Sequence, residues 1–517
     1  MASQLEGRRF DVPSCSLNPM APFDALRARA ALSPGKAAIK AADGGFVFTY
    51  AELDAAADRI ARLFQHLGLR PGQVVALLLE NGPRVLEIWW AARRAGLYYA
   101  PLSGRLHAAE LAHVVRDSGA EMLIASPGLA DLASQVPVAR GLVLDEAFDR
   151  LAREAAKAPL LPTPVVGREL IYSSGTTGRP RGVKRALAPA SEALALPTLE
   201  RRMRALFGFD TETVYLSVSP LYHSTGRFAM RIVETGGTVV IQPSFDPAEA
   251  LAAIERHRIT HSQWVPTMFA RLLALPREAR TAHDLSSHQA ALHAAAPCPE
   301  PVKRAMIDWW GPILHEYYGG TENAGVTFIR AEEWLARPGS VGRSISGAIH
   351  ILAEDGSERE LGPGEIGLIY FEGGVPFTYL NEDGQGADAR TSRGYSGYGD
   401  LGHVDKDGYL YISDRRSDLI ISGGVNIYPK EIELILDSHP AVRESAVIGL
   451  PDKEYGQRVH AVVVSDGAGE TQGEAILDFC RARLSRFKCP RGISFVDALP
   501  RNENGKIVKK DLRDRFG

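Results

Sequence analysis

The stretch Pro71-Gly-Gln-Val74-Val-Ala-Leu-Leu-Leu79-Glu-Asn81-Gly-Pro83-Arg-Val85-Leu-Glu-Ile88-Trp89-Trp-Ala-Ala92-Arg-Arg-Ala-Gly96-Leu97-Tyr-Tyr-Ala-Pro-Leu102 decides the fold class. Pro71-Gly72 turns the chain, and the unbroken apolar run from Val74 to Leu79 predicts a strand buried on both faces. Asn81 with Pro83 next opens a helix in which Val85, Ile88, Trp89 and Ala92 share one side, and Gly96 stops it. Leu97 to Leu102 is then a second short apolar run. Helices alternating with buried strands predict an α/β architecture with a largely parallel sheet. In that setting Trp89, Trp90, Tyr98 and Tyr99 read as core.

The same alternation extends in both directions. Upstream, Leu53, Ala57, Ile60, Phe64 and Leu67 recur at helical spacing until Gly68. The first twenty residues, with Pro13 and Pro19, have little periodicity and read as an arm over the surface. Downstream, Val214 to Ser217 and Thr238 to Gln242 read as strands and Pro247 to His257 as a helix. From Gly339 to Tyr411 short strand-like pieces such as Gly367 to Phe371 alternate with Gly/Asp turns, which predicts a smaller, mainly antiparallel subdomain. After Asp414-Arg-Arg-Ser-Asp418 the last hundred residues read strand, strand, helix, strand at Ser445 to Leu450, His460 to Ser465, Gln472 to Leu484 and Ile493 to Val496. That tail is long enough for a domain of its own.

Length and charge narrow the function. At roughly 150 residues per domain, 517 residues predict about three cores. Lys+Arg 59 against Asp+Glu 62 leaves a net charge of −3, which argues against nucleic acid as a partner. A hydrophobic share of 45% excludes general disorder, and with no apolar run of about 18 residues no spanning helix is expected. The opening residues carry no secretory signal pattern, so the cytoplasm is the expected location. Cys15, Cys298, Cys480 and Cys489 fit neither a zinc knuckle nor a redox pair and read as ordinary thiols.

Glycine is abundant, 50 residues, and its densest cluster is Tyr172-Ser-Ser-Gly-Thr-Thr-Gly-Arg-Pro-Arg-Gly-Val-Lys184. Its glycines let backbone N–H groups turn inward, its hydroxyls add donors, and Arg179, Arg181 and Lys184 add positive charge: a cradle for polyphosphate. No Gly-Lys-Ser/Thr follows at the Walker spacing, so P-loop machinery is disfavoured. Taken alone, the cluster fits a ligand-free Gly/Ser hairpin equally well.

Four further segments accompany it in order: Tyr318-Gly-Gly-Thr-Glu322, Gly399-Asp400 leading to Asp414-Arg415, Ser422-Gly-Gly-Val-Asn-Ile-Tyr-Pro429, and Asn504-Gly-Lys506. With weaker echoes at Phe48 to Leu53 and Gly96 to Pro101, the chain resembles the adenylate-forming superfamily of acyl-CoA synthetases, peptide-synthetase adenylation domains and beetle luciferases, and its bacterial AMP-dependent CoA ligases most. The resemblance implies a large N-terminal domain (1–416) of two α/β sheet subdomains plus a small β subdomain, followed by a small mobile α+β C-terminal domain (417–517). It also implies ATP-dependent activation of a hydrophobic fatty, aryl or alicyclic acid as acyl-AMP, with transfer to coenzyme A, and it allows a homodimer.

The resemblance assigns roles residue by residue. Ser173, Ser174, Gly175, Thr176, Thr177 and Gly178 would hold the ATP phosphates, with Thr177 and Glu322 holding Mg²⁺. Tyr318 would stack on adenine beside Ala295, Ala296, Pro297, Gly319, Gly320, Thr321 and Ile412, while Asp400 and Arg415 would take the ribose. Lys506 would stabilise charge between the substrate carboxylate and the α-phosphate, and Gly424 would approach the pantetheine tunnel after rotation about a hinge at Ser417. Tyr222 and His223 would gate the acyl pocket, bordered by Trp264, Pro266, Met268 and Gly320, although a core helix explains Trp264 to Met268 nearly as well.

Some positions depart from the pattern. Ser417 replaces the Lys or Asp hinge of several branches, Arg181 replaces a common Lys, and Tyr398 stands two before Asp400 where many relatives have Thr, leaving a nucleotide contact there in doubt. No aspartate begins the Pro220 to Gly226 segment, which argues against an α-amino acid substrate. An acyl-AMP ligase that loads a carrier protein and a catalytically silent nucleotide-binding regulator are the alternatives.

Overall fold

The five residues Val74–Leu78 form a strand with every side chain buried. Pro83 sits in the first turn of the helix Pro83–Arg94, where its missing N–H costs nothing. Gly96 ends the unit at φ +69°, with Val165 carbonyl oxygen 3.1 Å from where a Cβ would stand. The chain then returns as Tyr98–Leu102, parallel to Val74–Leu78. Trp89 and Tyr99 are core as expected, their rings stacked 5.2 Å apart. The helix Tyr50–His66 opens with a capping box between Thr49 and Glu52 and buries Leu53, Ala57, Ile60 and Phe64.

The computed structural model describes residues 24–174, 180–192, 198–223, 226–374, 377–380, 390–415, 418–422, 425–452, 455–465, 470–502 and 506–517. The expected N-terminal arm lies outside them. Among the described residues, Val74–Leu78 is the centre of a five-stranded sheet whose pairs are all parallel. A second sheet of thirteen strands carries a parallel centre, in spatial order Leu314–Gly319, Ala290–His293, His261–Trp264, Val214–Ser217 and Thr238–Ile241. The region after Gly339 is antiparallel as expected, and it continues the larger sheet. The strand Ser340–Ser346 pairs with Val326–Ile329 on one side and Leu410–Arg415 on the other, with a register shift at each, so the sheet runs on through it.

The C-terminal segment builds its own core around the three-stranded sheet of Val442–Asp452, Gly456–Ser465 and Gly492–Phe495. Alternation along the first strand sends Val447 to one face with Ile432, Leu436 and Ile476, and Ala446 and Ile448 to the other with Leu512. Ile476 comes from the expected helix, here Glu470–Arg481, while two helices absent from the strand, strand, helix, strand reading supply the others: Pro429–Asp437 gives Ile432 and Leu436, and Lys509–Phe516 gives Leu512. Among the described residues no helix is long and apolar enough to cross a membrane.

Parallel strands bring their carboxyl ends to one edge, where open α/β sheets bind ligands. Register places Ser217 beside Gln263, Trp264 beside His293, and His293 beside Glu316. The loops carrying Tyr222–His223, Ala295–Pro297 and Gly320–Glu322 therefore leave the sheet along the same edge.

Candidate functional site

The site is assembled around the turn that follows the strand Leu314–Gly319. Tyr318, near its end, donates its hydroxyl to Asp400 Oδ2 at 2.6 Å across 82 residues of sequence. Asp400 is buried at 4% exposure on the strand Ser396–Val404 and lies opposite Arg415 in the ladder. The two halves of the Gly399-Asp400/Asp414-Arg415 segment are thus neighbouring strands. Ile412 packs in the same cluster as Tyr318, Phe371 and Tyr398. The structure therefore brings Tyr318 to Asp400 and Ile412, which lie at least 82 residues further along the chain.

The turn itself is held from two sides. Arg185 Nη2 donates to the Thr321 carbonyl at 2.5 Å, while Tyr379 Oη donates to Glu322 Oε1 at 3.2 Å. Asn323 takes a positive φ of 53°, tolerable for its short polar side chain. Arg185 is held in turn by Glu169, 3.5 Å away, which also pairs with Arg227 at 3.1 Å. Burial alone would raise the Glu169 pKa, but Arg227, Arg168 and Arg185 outweigh it and hold the carboxyl down at about 2. Arg185 shows the reverse imbalance: burial, with the like charges of Arg227 and Arg168, pulls its guanidinium down to about 10 despite Glu169. The cluster carries more positive than negative charge. Arg185 directly follows the glycine cluster, which was a visible signal; Glu169 had none.

Around this centre, Ala295 is exposed and has φ +77°, a strained conformation for a residue with a Cβ, at the carboxyl end of Ala290–His293. Ala296 and Pro297 continue that loop. His223 is partly exposed, but burial of its ring, helped by Arg105, pulls its pKa down to about 4, so it is neutral at pH 7. It packs on Tyr222 with ring centroids 4.5 Å apart. Tyr222 faces an apolar cavity of about 10 Å³ with Trp89, Leu77 and Pro101, space for one water and not for an acyl group.

Trp264, Pro266 and Met268 are all buried, as the core-helix alternative for this segment has it. Trp264 is fully buried in the core with Met268, stacks edge-on with Phe245 and Trp310, and donates Nε1 to Ser262 Oγ at 2.6 Å. Pro266 is buried at the start of the helix Pro266–Leu273 in the same layer. These residues pack on the helix-covered face of the sheet. Strand alternation is the reason: Gln263 points to the opposite face, where it accepts from Tyr215 Oη at 3.2 Å and donates to Tyr317 Oη at 2.5 Å.

Ser173 and Ser174 lie on the strand Ile171–Ser174, paired antiparallel with Pro180–Lys184. Tyr172, at the base of that hairpin, donates to Asp117 Oδ2 at 2.7 Å. Gly175, Thr176, Thr177, Gly178, Ser417 and Gly424 lie outside the described residues, as do the side chains of Ser173, Ser174 and Arg415. Lys506 is half-buried; its backbone N–H donates to Asn502 Oδ1 at 2.9 Å and its carbonyl accepts from the Asn502 N–H at 2.8 Å. Cys298, Cys480 and Cys489 are free, and burial pushes their thiols up, to about 11 for Cys480.

Among the described residues no group of three or more His, Cys, Asp or Glu gathers as a metal cage. A single carboxylate, Glu322, steadied by Tyr379 from the strand that borders the glycine-cluster hairpin, is compatible with Mg²⁺, which binds through one or two carboxylates plus substrate phosphates and keeps several waters.

The chain is similar to known proteins over nearly its whole length. Residues 26–377 match the family described as AMP-binding enzyme, and residues 431–506 match the AMP-binding enzyme C-terminal domain. The chain is 35% identical to a feruloyl-CoA synthase of an Amycolatopsis species over 95% of its length and 98% of the relative's. It is 34% identical to the 2-succinylbenzoate–CoA ligase of Geobacillus kaustophilus, over 94% and 96%. Among solved structures, ATP-bound MatB from Rhodopseudomonas palustris superposes with a TM-score of 0.82 at 30% identity, covering 96% of this chain and 99% of that one.

Proposed function

This chain belongs to the AMP-binding enzyme family through both its main and its C-terminal domains, and from that premise we propose that it is an ATP-dependent acyl-CoA ligase. It activates a hydrophobic carboxylic acid of the fatty, aryl or alicyclic class. A carboxylate oxygen attacks the α-phosphorus of ATP, the P–O bond to pyrophosphate breaks, and acyl-AMP forms. The thiol of coenzyme A then attacks the acyl carbonyl, and AMP leaves with the bonding pair.

The carrying observation is the Tyr318–Asp400 hydrogen bond. It unites a ring suited to adenine with a carboxylate suited to ribose hydroxyls, one turn from Glu322. In the first half-reaction the barrier is largely that of holding anions in line. Thr176 and Thr177 with their backbone neighbours hold the phosphates, and Asp400 and Arg415 fix the ribose. Thr177 and Glu322 would hold Mg²⁺, which supplies charge neutralisation on the phosphates. Lys506 meets the charge that develops between carboxylate and α-phosphate. Neutral His223 sits at the acyl side without adding a second cation. For the second half-reaction residues 417–517 rotate and bring Gly424 toward pantetheine, where a side chain would obstruct the thiol.

The test is a coupled assay over acids graded by chain length, aromaticity and ring bulk. Acid-dependent pyrophosphate release followed by CoA-dependent AMP release is the expected result. Pyrophosphate release with AMP released only when a carrier protein is supplied refutes the CoA assignment, and no acid-dependent release with any acid refutes the ligase.

A further inference from the structure

Tyr398 departs from the expected pattern, and the structure sets its ring against Gly320. A Cβ at Gly320 would stand 2.4 Å from Tyr398 Cε1 and 2.6 Å from Cδ1, so the ring fills the place a side chain at 320 would take. The same Cβ would lie 2.9 Å from Glu322 Oε2, which puts the carboxylate against the same wall. Beyond the ring, the Tyr398 hydroxyl donates to the Gly325 carbonyl at 2.7 Å and accepts from the Gly325 N–H at 3.1 Å. The turn from Gly320 to Gly325 is therefore touched by this one side chain at its start and clamped at its end. The Tyr398 ring also stands edge-on to Tyr318, 5.6 Å between centroids at 87°, and Tyr318 holds Asp400. Only Gly399, at φ +74°, separates Tyr398 from Asp400 along the chain.

From this geometry we propose that Tyr398 is a positioning residue that sets the Glu322 turn and Asp400 at a fixed separation, with Gly320 as the gap cut to receive its ring. Arg185, on the Thr321 carbonyl, braces the turn independently. The proposal rests on the reading of Glu322 as the metal-holding carboxylate and Asp400 as the ribose acceptor.

The experiment compares Tyr398→Phe, Tyr398→Thr, Gly320→Ala and the double variant Tyr398→Thr/Gly320→Ala, with Glu322→Gln as the control for the underlying reading. Calorimetric binding of a non-hydrolysable ATP analogue, with and without Mg²⁺, is measured beside pyrophosphate release and thermal unfolding. Tyr398→Phe loses only the clamp and is expected to weaken Mg²⁺-dependent analogue binding about 5- to 10-fold while the KM for the acid holds. Gly320→Ala is expected to lower pyrophosphate release about 100-fold through misplacement of the turn. The double variant is expected to recover to within a few-fold of Tyr398→Thr, because the smaller residue vacates the space. A double variant no better than Gly320→Ala, or a Tyr398→Phe change that lowers the melting temperature without moving Mg²⁺-dependent binding, overturns the proposal alone. Unchanged Mg²⁺ dependence in Glu322→Gln overturns the metal reading, and the proposal with it.

Discussion

Glu169→Gln is the most incisive single change outside the nucleotide groups, because it keeps side-chain shape and removes one charge from between two arginines. In the folded chain the Glu169 pKa is held down at about 2 against its ordinary 4.5. At about 1.36 kcal/mol per pKa unit the difference corresponds to about 3 kcal/mol. Since the folded pKa is the lower one, this contribution is fully present above pH 4.5 and fades as pH falls through about 2. At pH 7 the Gln variant should therefore lose about 3 kcal/mol, leaving Arg185 and Arg227 facing one another over a neutral amide. A slope of about 3 kcal/mol/M in urea converts this to a midpoint about 1 M lower. Trp89 and Trp90, buried in the large core shared by the two sheets, provide the fluorescence signal. Neutralising one arginine as well, in Glu169→Gln/Arg227→Gln, should recover about half of the loss, because the remaining repulsion is removed. A pH 7 midpoint shift below about 0.2 M, or a double variant no more stable than the single, refutes the electrostatic account. A further consequence follows from the Arg185 grip on Thr321: the KM for ATP should rise in Glu169→Gln while that for the acid stays level.

Lys506→Ala should slow acyl-AMP formation by about 10²–10³, on the order of 3–4 kcal/mol, and spare thioester formation from supplied acyl-AMP; equal loss in both half-reactions would remove Lys506 from its assigned role. Lys303 is fully buried and paired with Glu316 at 2.5 Å, so Lys303→Met leaves a stranded buried carboxylate and should destabilise by about 3–5 kcal/mol, whereas Lys303→Met/Glu316→Leu should regain most of it in thermal unfolding. Because burial holds the His223 pKa at about 4 against 6.5, its neutral form persists from pH 8 down to about pH 5; kcat/KM for the acid should show no inflection near 6.5 that disappears in His223→Gln.

The fold was legible wherever local pattern and burial coincide. Val74 to Leu79 had to be covered on both faces, and the strand is buried throughout. The helical spacing of Leu53, Ala57, Ile60 and Phe64 is matched by a helix that buries all four. What local pattern does not carry is pairing. Nothing in Ser340 to Ser346 states that one strand will border both Val326–Ile329 and Leu410–Arg415, so the continuity of the antiparallel region with the larger sheet was not legible. The helices Pro429–Asp437 and Lys509–Phe516 are short, and their apolar positions acquire meaning only against the strand alternation they cover.

The site divides along a related line. Residues whose chemistry is intrinsic, the phenol of Tyr318 and the carboxylate of Asp400, were identifiable before their contact was seen. Direction was not: Trp264 and Gln263 are adjacent on one strand, and which of them faces the core follows from where the helices pack. Compensation was even less visible. Gly320 read as a member of a glycine turn and Tyr398 as a departure, 78 positions apart, and neither implied the other. Once the ring is placed 2.4 Å from the missing Cβ, the departure in one segment requires the glycine in the other. A substitution that looks like the loss of a ligand contact is then a change in how the turn is supported, which is why the decisive variant restores a threonine at 398 and tests whether position 320 can again carry a side chain.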